Sequence, residues 1–85
     1  VPRDPLPDPL PDVRQAVGDR IRHHREWRDL TQWQLCEAAE IPRSTLQEIE
    51  RGTTDARLSW LARIARALDT PLAQLLDVEV PRPPR

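Results

Sequence analysis

Arg43, Ser44 and Thr45 follow Pro42 at the opening of a short polar–apolar run, with Glu48 further along it and Arg51 at its end before Gly52. A guanidinium fork beside two small hydroxyls does hydrogen-bonding chemistry. The fork pairs bidentately with phosphate or a guanine edge, and the hydroxyls leave room for close approach. Each side chain also has a plainer reading. Arg43 is equally a solvated surface arginine, and Ser44 and Thr45 can satisfy the free N–H groups of a helix's first turn. Glu48 repels phosphate; it either accepts from a cytosine amino group or pairs within its helix with Arg51 or Arg43.

Bond-making chemistry has no comparable candidates. No nucleophile–base pair stands out, and two glycines are too few for a phosphate-cradling loop, so no catalytic role is expected. His23 and His24 are adjacent and point in different directions. Cys36 is the one thiol, so neither an internal disulfide nor a zinc site is expected, and no cofactor. Cys36 itself is either an inert helix residue or an exposed, oxidisable one. No apolar run approaches the ~20 residues of a membrane span, and the Pro/Asp-rich start does not read as a signal peptide, which makes the cytoplasm the expected location. The net charge of -1 is an objection to a nucleic-acid partner. All 13 basic residues are arginine, however, so what matters is the face on which they lie.

The elements that would position these residues are short helices. Residues 1–12 form a proline-punctuated arm, expected to be disordered, and 79–85 an extended Pro/Arg tail; one foldable domain, 13–78, lies between them. Leu6 and Leu10 are the apolar positions of the arm. Asp12 is placed to cap a first helix over 13–28, with Val13, Val17, Ile21 and His24 on one face. Thr31 and Gln34 form a capping box for a second helix ending at Ala39, with Leu35, Ala38 and Ala39 turned inward. Glu40 and Ile41 make a tight turn. Pro42 suits the first position of a third helix, anchored by Leu46 and Ile49 and stopped before Gly52. A fourth helix over 57–68 turns Leu58, Leu61, Ala62, Ala65 and Leu68 inward. Thr70 caps a fifth, from Pro71 to Leu76. Trp33 and Trp60 are expected on outer faces. The predicted fold is all-α, with five compact helices and no sheet. Leu35, Ala39, Leu46, Ile49, Leu61 and Ala65 should be its most buried side chains.

From Val17 to Leu76 the chain resembles the Cro-type (XRE family) helix-turn-helix domains of phage and bacterial repressors. The likeness rests on Arg20-Ile21-Arg22 with Arg25; on Leu30-Thr31-Gln32 with Leu35 and Ala38-Ala39; and on Ser44-Thr45-Leu46 with Ile49-Glu50-Arg51-Gly52. It continues through Leu61-Ala62-Arg63-Ile64-Ala65-Arg66-Ala67-Leu68. The resemblance implies a lambda-repressor-like fold with helix three in the DNA major groove. Arg43, Ser44 and Glu48 would then face the bases, and Gln32, Thr45, Arg51 and Thr53 would hold phosphates, Gln32 also bracing the start of helix three. Arg25 and Glu50 would link helix one to the end of helix three. The chain departs from the family pattern in five places, one of them the acidic Glu48 at a groove-facing position. Glu40 and Asp29 stand where glycine is usual, Pro42 replaces a side-chain cap, and His24 replaces an aliphatic residue.

The function implied is a sequence-specific, double-stranded DNA-binding transcriptional regulator, and in particular a repressor. One such domain buries too little surface to be selective, so a homodimer on a palindromic site is expected. Leu72, Leu75, Leu76 and Val78 supply its apolar surface. The competing reading keeps the fold but loses DNA binding: a protein-interaction module or antitoxin-like partner, favoured by the near-neutral charge and by Glu40 and Glu48.

Overall fold

A computed structural model describes residues 10–82. It contains five helices and, among the described residues, no strand: α1 (Leu10–Trp27), α2 (Gln32–Ala39), α3 (Arg43–Arg51), α4 (Leu58–Ala67) and α5 (Leu72–Leu75). The all-α, five-helix, lambda-repressor-like architecture expected from the sequence is the one observed. Most of the predicted arm, Leu6 included, and the last tail residues lie outside the described part of the chain. α1 packs chiefly against α3, α2 against α4 and α3, and α5 against α4 and α1.

The capping box at α2 forms as the Thr31/Gln34 spacing requires. The Thr31 hydroxyl accepts from the Gln34 backbone N–H at 3.1 Å, and the Thr31 N–H donates to Gln34 Oε1 at 2.9 Å. Other helix boundaries shift. α1 begins at Leu10 instead of Val13, which puts Asp12 in its first turn and not at the cap. Pro11 is compatible with that start because the first-turn N–H groups have no intrahelical acceptor. Pro42 and Pro71 each stand one place outside their helix, with extended ψ values of 144° and 138°. Thr70 does not cap α5: its hydroxyl donates to the Leu68 carbonyl at 3.1 Å.

The six side chains expected to be most buried are all in the core. Ile21, Ile64, Leu68 and Leu75 join Leu35 and Leu46 as wholly or almost wholly enclosed. The inward stripe of α4 is Leu61, Ile64, Ala65 and Leu68, a strict i, i+3, i+4, i+7 set. Leu58, expected inside, opens the helix beyond the packed stripe and is 66% exposed. Ala62 lies about 100° round the helix from Leu61 and is also exposed. In α2 the same rotation exposes Ala38 and buries Cys36. Trp33 is exposed as expected, but Trp60 is half-buried against the core, with the Arg57 guanidinium 5.1 Å from its ring centre. Leu75 is fully buried, and Leu72 and Val78 are packed against the core. The fold itself therefore covers most of the helix-five apolar surface that the sequence offers to a dimer.

Three non-glycine residues, Asp29, Glu40 and Asp69, take left-handed backbone conformations, with φ between 50° and 57°. Asp29 and Glu40 are the two positions where the sequence departs from the glycine of related domains. Gly52 (φ 75°) fills the same role at the end of α3. Arginines hold several of these connections. Arg63 Nη1 donates to the Glu40 carbonyl, Arg28 Nη2 to the Asp69 carbonyl and Arg25 Nη1 to the Leu30 carbonyl, at 3.2, 3.2 and 2.9 Å.

His24, on the partly buried side of α1, has its pKa pushed below 6.5 by burial first, then by the neighbouring charges of Arg20, His23 and Arg28. The folded chain therefore binds that proton less readily than the unfolded chain, so His24 removes stability as the pH falls through and below about 6.5. Melting curves at pH 7.5 and 5.5 should show an acid loss that shrinks in His24→Leu. An unchanged loss would assign it to another group.

Candidate nucleic-acid interface

α3 is the element that can present side chains outward in a row. Its apolar residues, Leu46 and Ile49, enter the core together with Glu50, which leaves Arg43, Ser44, Glu48 and Arg51 exposed. Thr45 and Gln47 are partly buried. Gln47 was not singled out from the sequence, yet it falls one helical turn from both Arg43 and Ser44, and that spacing is the signal that points to it. Among the described residues Glu48 forms no ion pair with Arg43 or Arg51, so the intrahelical alternative for its carboxylate is not realised. Two outward arginines against one outward glutamate leave the exposed face of α3 net positive, although the chain as a whole is slightly acidic.

The start of α3 adds to that field. Pro42 caps it without any side-chain hydrogen bond, so its first-turn N–H groups are not capped by a side chain as those of α2 are. At the other end, Gly52 closes the helix through its N–H to the carbonyls of Glu48 and Ile49. The Thr53 N–H and hydroxyl both donate to the Glu48 carbonyl, at 3.0 and 3.3 Å, which fixes the exposed Thr53 beside the helix exit.

Behind this face lies a buried polar chain. Glu50 is 4% exposed and accepts both arms of the Arg25 fork, Nε at 2.8 Å and Nη2 at 3.0 Å. Gln32, the first residue of α2, donates from Nε2 to Glu50 Oε1 at 3.2 Å. It thus touches the C-terminal half of α3, not the start that the resemblance suggested. Arg25 and Glu50 join α1 to α3 by geometry that is bidentate and nearly dry. Gly18 makes that approach possible: a Cβ there would fall within 3 Å of the backbone carbonyl oxygens of Ile49 and Glu50. Several other arginines are tied down away from this face. Arg20 Nε donates to the Gln74 carbonyl at α5, Arg28 and Arg63 hold turns, and Arg57 lies over Trp60.

No helix among the described residues is long and apolar enough to cross a membrane. Likewise no group of three or more His, Cys, Asp or Glu side chains among them is arranged to hold a metal ion.

Comparison with known proteins agrees with this geometry. A family model described as a helix-turn-helix domain matches residues 16–78. Over 64 residues the chain is 41% identical to the immunity repressor protein of Bacillus phage phi105, an alignment covering 75% of this chain and 44% of that protein. It is thus aligned with less than half the length of that relative. It is 31% identical over 65 residues to the control protein C.SmaI of Serratia marcescens, covering 76% of this chain and 77% of that protein. The crystal structure of the restriction-modification controller protein C.AhdI from Aeromonas hydrophila superposes with a TM-score of 0.72 at 29% identity, covering 73% of this chain and 94% of that one.

Proposed function

The chain belongs to the Cro/XRE-type helix-turn-helix family of DNA-binding transcriptional regulators, and from that premise we propose that it is a sequence-specific repressor that reads the major groove with α3. The observation that carries this reading is the outward face of α3, where Arg43, Ser44 and a Glu48 carboxylate without an ion pair lie exposed together. Arg43 pairs its fork with a guanine edge, Glu48 accepts from a cytosine amino group, and Ser44 is small enough to let the backbone approach. Gln32, Thr45, Arg51 and Thr53 hold phosphates on either side and set the register without reading sequence. The immunity repressor of phage phi105 and the control protein of Serratia marcescens are relatives whose names fit this role. One domain offers too small an interface for operator selectivity, so a homodimer on half-sites about one helical turn apart completes the proposal. Sedimentation with and without DNA tests that step, and a monomer in both states would remove it.

Selection of bound sequences from random duplex DNA supplies the operator on which the roles are separated. Arg43→Ala should cost ~1–3 kcal/mol of discrimination at one base pair per half-site, because a bidentate base contact is lost. Gln32→Ala should weaken binding to all duplexes alike and leave the salt dependence nearly unchanged, since the side chain is neutral and a phosphate carries no base information. Titrations on the selected site, a one-base mismatch and unrelated DNA check both. Equal losses for Arg43→Ala on all three would make Arg43 a clamp and not a reader.

A second reading, a protein-interaction or antitoxin-like module, is favoured by one observation: Trp27 and Trp33 stand 80% and 55% exposed. It takes precedence if the protein binds no duplex at low salt.

A further inference from the structure

Glu50 does more than balance the charge of Arg25. Its Oε1 accepts from Gln32 Nε2 as well as from Arg25 Nη2, so a buried carboxylate connects a core arginine to a partly exposed amide on α2. We propose that Glu50 is a positioning residue for DNA: it fixes the amide orientation of Gln32 so that Gln32 turns a hydrogen-bond donor toward a backbone phosphate. The proposal rests on the DNA-binding reading above and deepens it.

An ionised carboxylate only accepts, whereas an amide has a donating and an accepting end. Set beside Glu50, the oxygen of Gln32 would face like partial charge, so the NH2 group must turn inward. That group carries two hydrogens. One is held by Glu50, and the other remains for an acceptor on the open side. A hydrogen bond to a charged acceptor also polarises the amide, which strengthens the donor that is left. Arg25 is required because it neutralises the carboxylate: unpaired, Glu50 would be costly to keep ionised in a site only 4% exposed. The buried chain thus sets which atom of Gln32 meets DNA, and a phosphate accepts only from a donor.

Glu50→Gln tests this while preserving shape. The carboxylate accepts from Arg25 Nε through Oε2 and from both Arg25 Nη2 and Gln32 Nε2 through Oε1. The new amide has one neutral accepting oxygen and must turn an N–H toward one of these donors, so in either placement it holds the Gln32 NH2 group inward less firmly. Affinity is read on a short random-sequence duplex at low salt, since a phosphate contact needs no operator. Glu50→Gln and Gln32→Ala should each weaken binding about three- to tenfold, and the double variant no further than either alone. The salt slope should be nearly unchanged in all three, because no phosphate-bound charge is lost. Additive losses, or parental affinity in Glu50→Gln, would overturn the proposal. A variant that does not fold leaves a readout on the parent: the Gln32 side-chain amide protons, assigned by their loss in Gln32→Ala. One should be displaced downfield and slow to exchange with solvent; two ordinary, rapidly exchanging protons would refute the inward bond. Failure of the parent to bind any duplex, with this amide signature present, overturns the DNA reading and the positioning role with it. Duplex binding without coupling between the two residues overturns the positioning role alone.

Discussion

Arg25→Ala is expected to remove a large share of the protein's stability and to lower its urea midpoint sharply. The substitution leaves Glu50, 4% exposed, with Gln32 as its one hydrogen-bond donor and no countercharge, and it strips the Leu30 carbonyl of its bond to Arg25. Breaking one side of a buried pair costs about 3–5 kcal/mol, because the remaining charge stays desolvated. Native stability is about 0.05–0.15 kcal/mol per residue, about 4–13 kcal/mol for a chain of 85 residues, so that loss takes from about a quarter of it to all of it. The pair's own net worth is much smaller than the penalty for halving it. Glu50→Leu added to Arg25→Ala should therefore recover a large part of the deficit by removing the stranded carboxylate. Urea titrations of parent, single and double variants decide: a single variant within a few tenths of a kcal/mol of the parent would mean that water reaches the pair and screens it.

Gly18→Ala should also destabilise the fold, and here two effects oppose each other. Alanine within a helix is favoured over glycine by about 1 kcal/mol, so propensity alone predicts stabilisation. The added methyl, however, would sit 2.8 Å from the Glu50 carbonyl oxygen and closer still to that of Ile49. Both obstacles are backbone atoms of α3 and have no rotamer through which to withdraw, so α1 and α3 would have to separate. Overpacking of this kind costs about 1–3 kcal/mol and occasionally more, and a backbone obstacle belongs at the upper end. Separation would also stretch the Arg25–Glu50 fork, which should carry the total past the propensity gain. A melting temperature above the parent's would show that the helices have room to spare.

The sequence made legible much of what depends on local chemistry, although the caps it suggests at Asp12 and Thr70 do not form. Thr31 and Gln34 name their own capping box, Gly52 its left-handed exit, and Leu46 with Ile49 the buried side of α3. The family resemblance, and not local chemistry, marks Glu40 and Asp29 as positions where glycine is usual, and both take left-handed conformations. Positions decided by more distant packing were harder to read. Leu58 is apolar and in phase with Leu61, yet nothing in the sequence says that the core ends one turn sooner. Ala38 and Ala62 are small enough to suit either face. Leu75 read as surface for a partner because the extent to which α4 and α1 cover α5 is a tertiary fact. Gly18 did leave a signal, a glycine inside a helix that costs about 1 kcal/mol and so asks for a packing reason. In the candidate interface, the set Arg43, Ser44 and Glu48 is what the resemblance implies, and the structure leaves all three exposed on α3. The bond from Gln32 to Glu50 is not implied, since it joins residues that only the fold brings together.

The turn at Glu40 bears on whether α2 and α3 are a portable unit. Its left-handed residue pays a steric penalty that glycine would avoid, and its carbonyl is held by Arg63 from α4. The far end of the pair is held from α1, by Arg25 on Leu30 and Glu50 and by the close approach at Gly18. The angle between the two helices is therefore held by their neighbours as well as by the turn's own bonds from the Glu40 and Ile41 N–H groups to the Cys36 carbonyl. Residues 30–52 grafted alone onto another scaffold would carry the surface chemistry without the supports from α1 and α4. A transplant that preserves the outward face has to bring α1 and α4 with it, which makes the whole four-helix frame the smallest piece that can be exchanged.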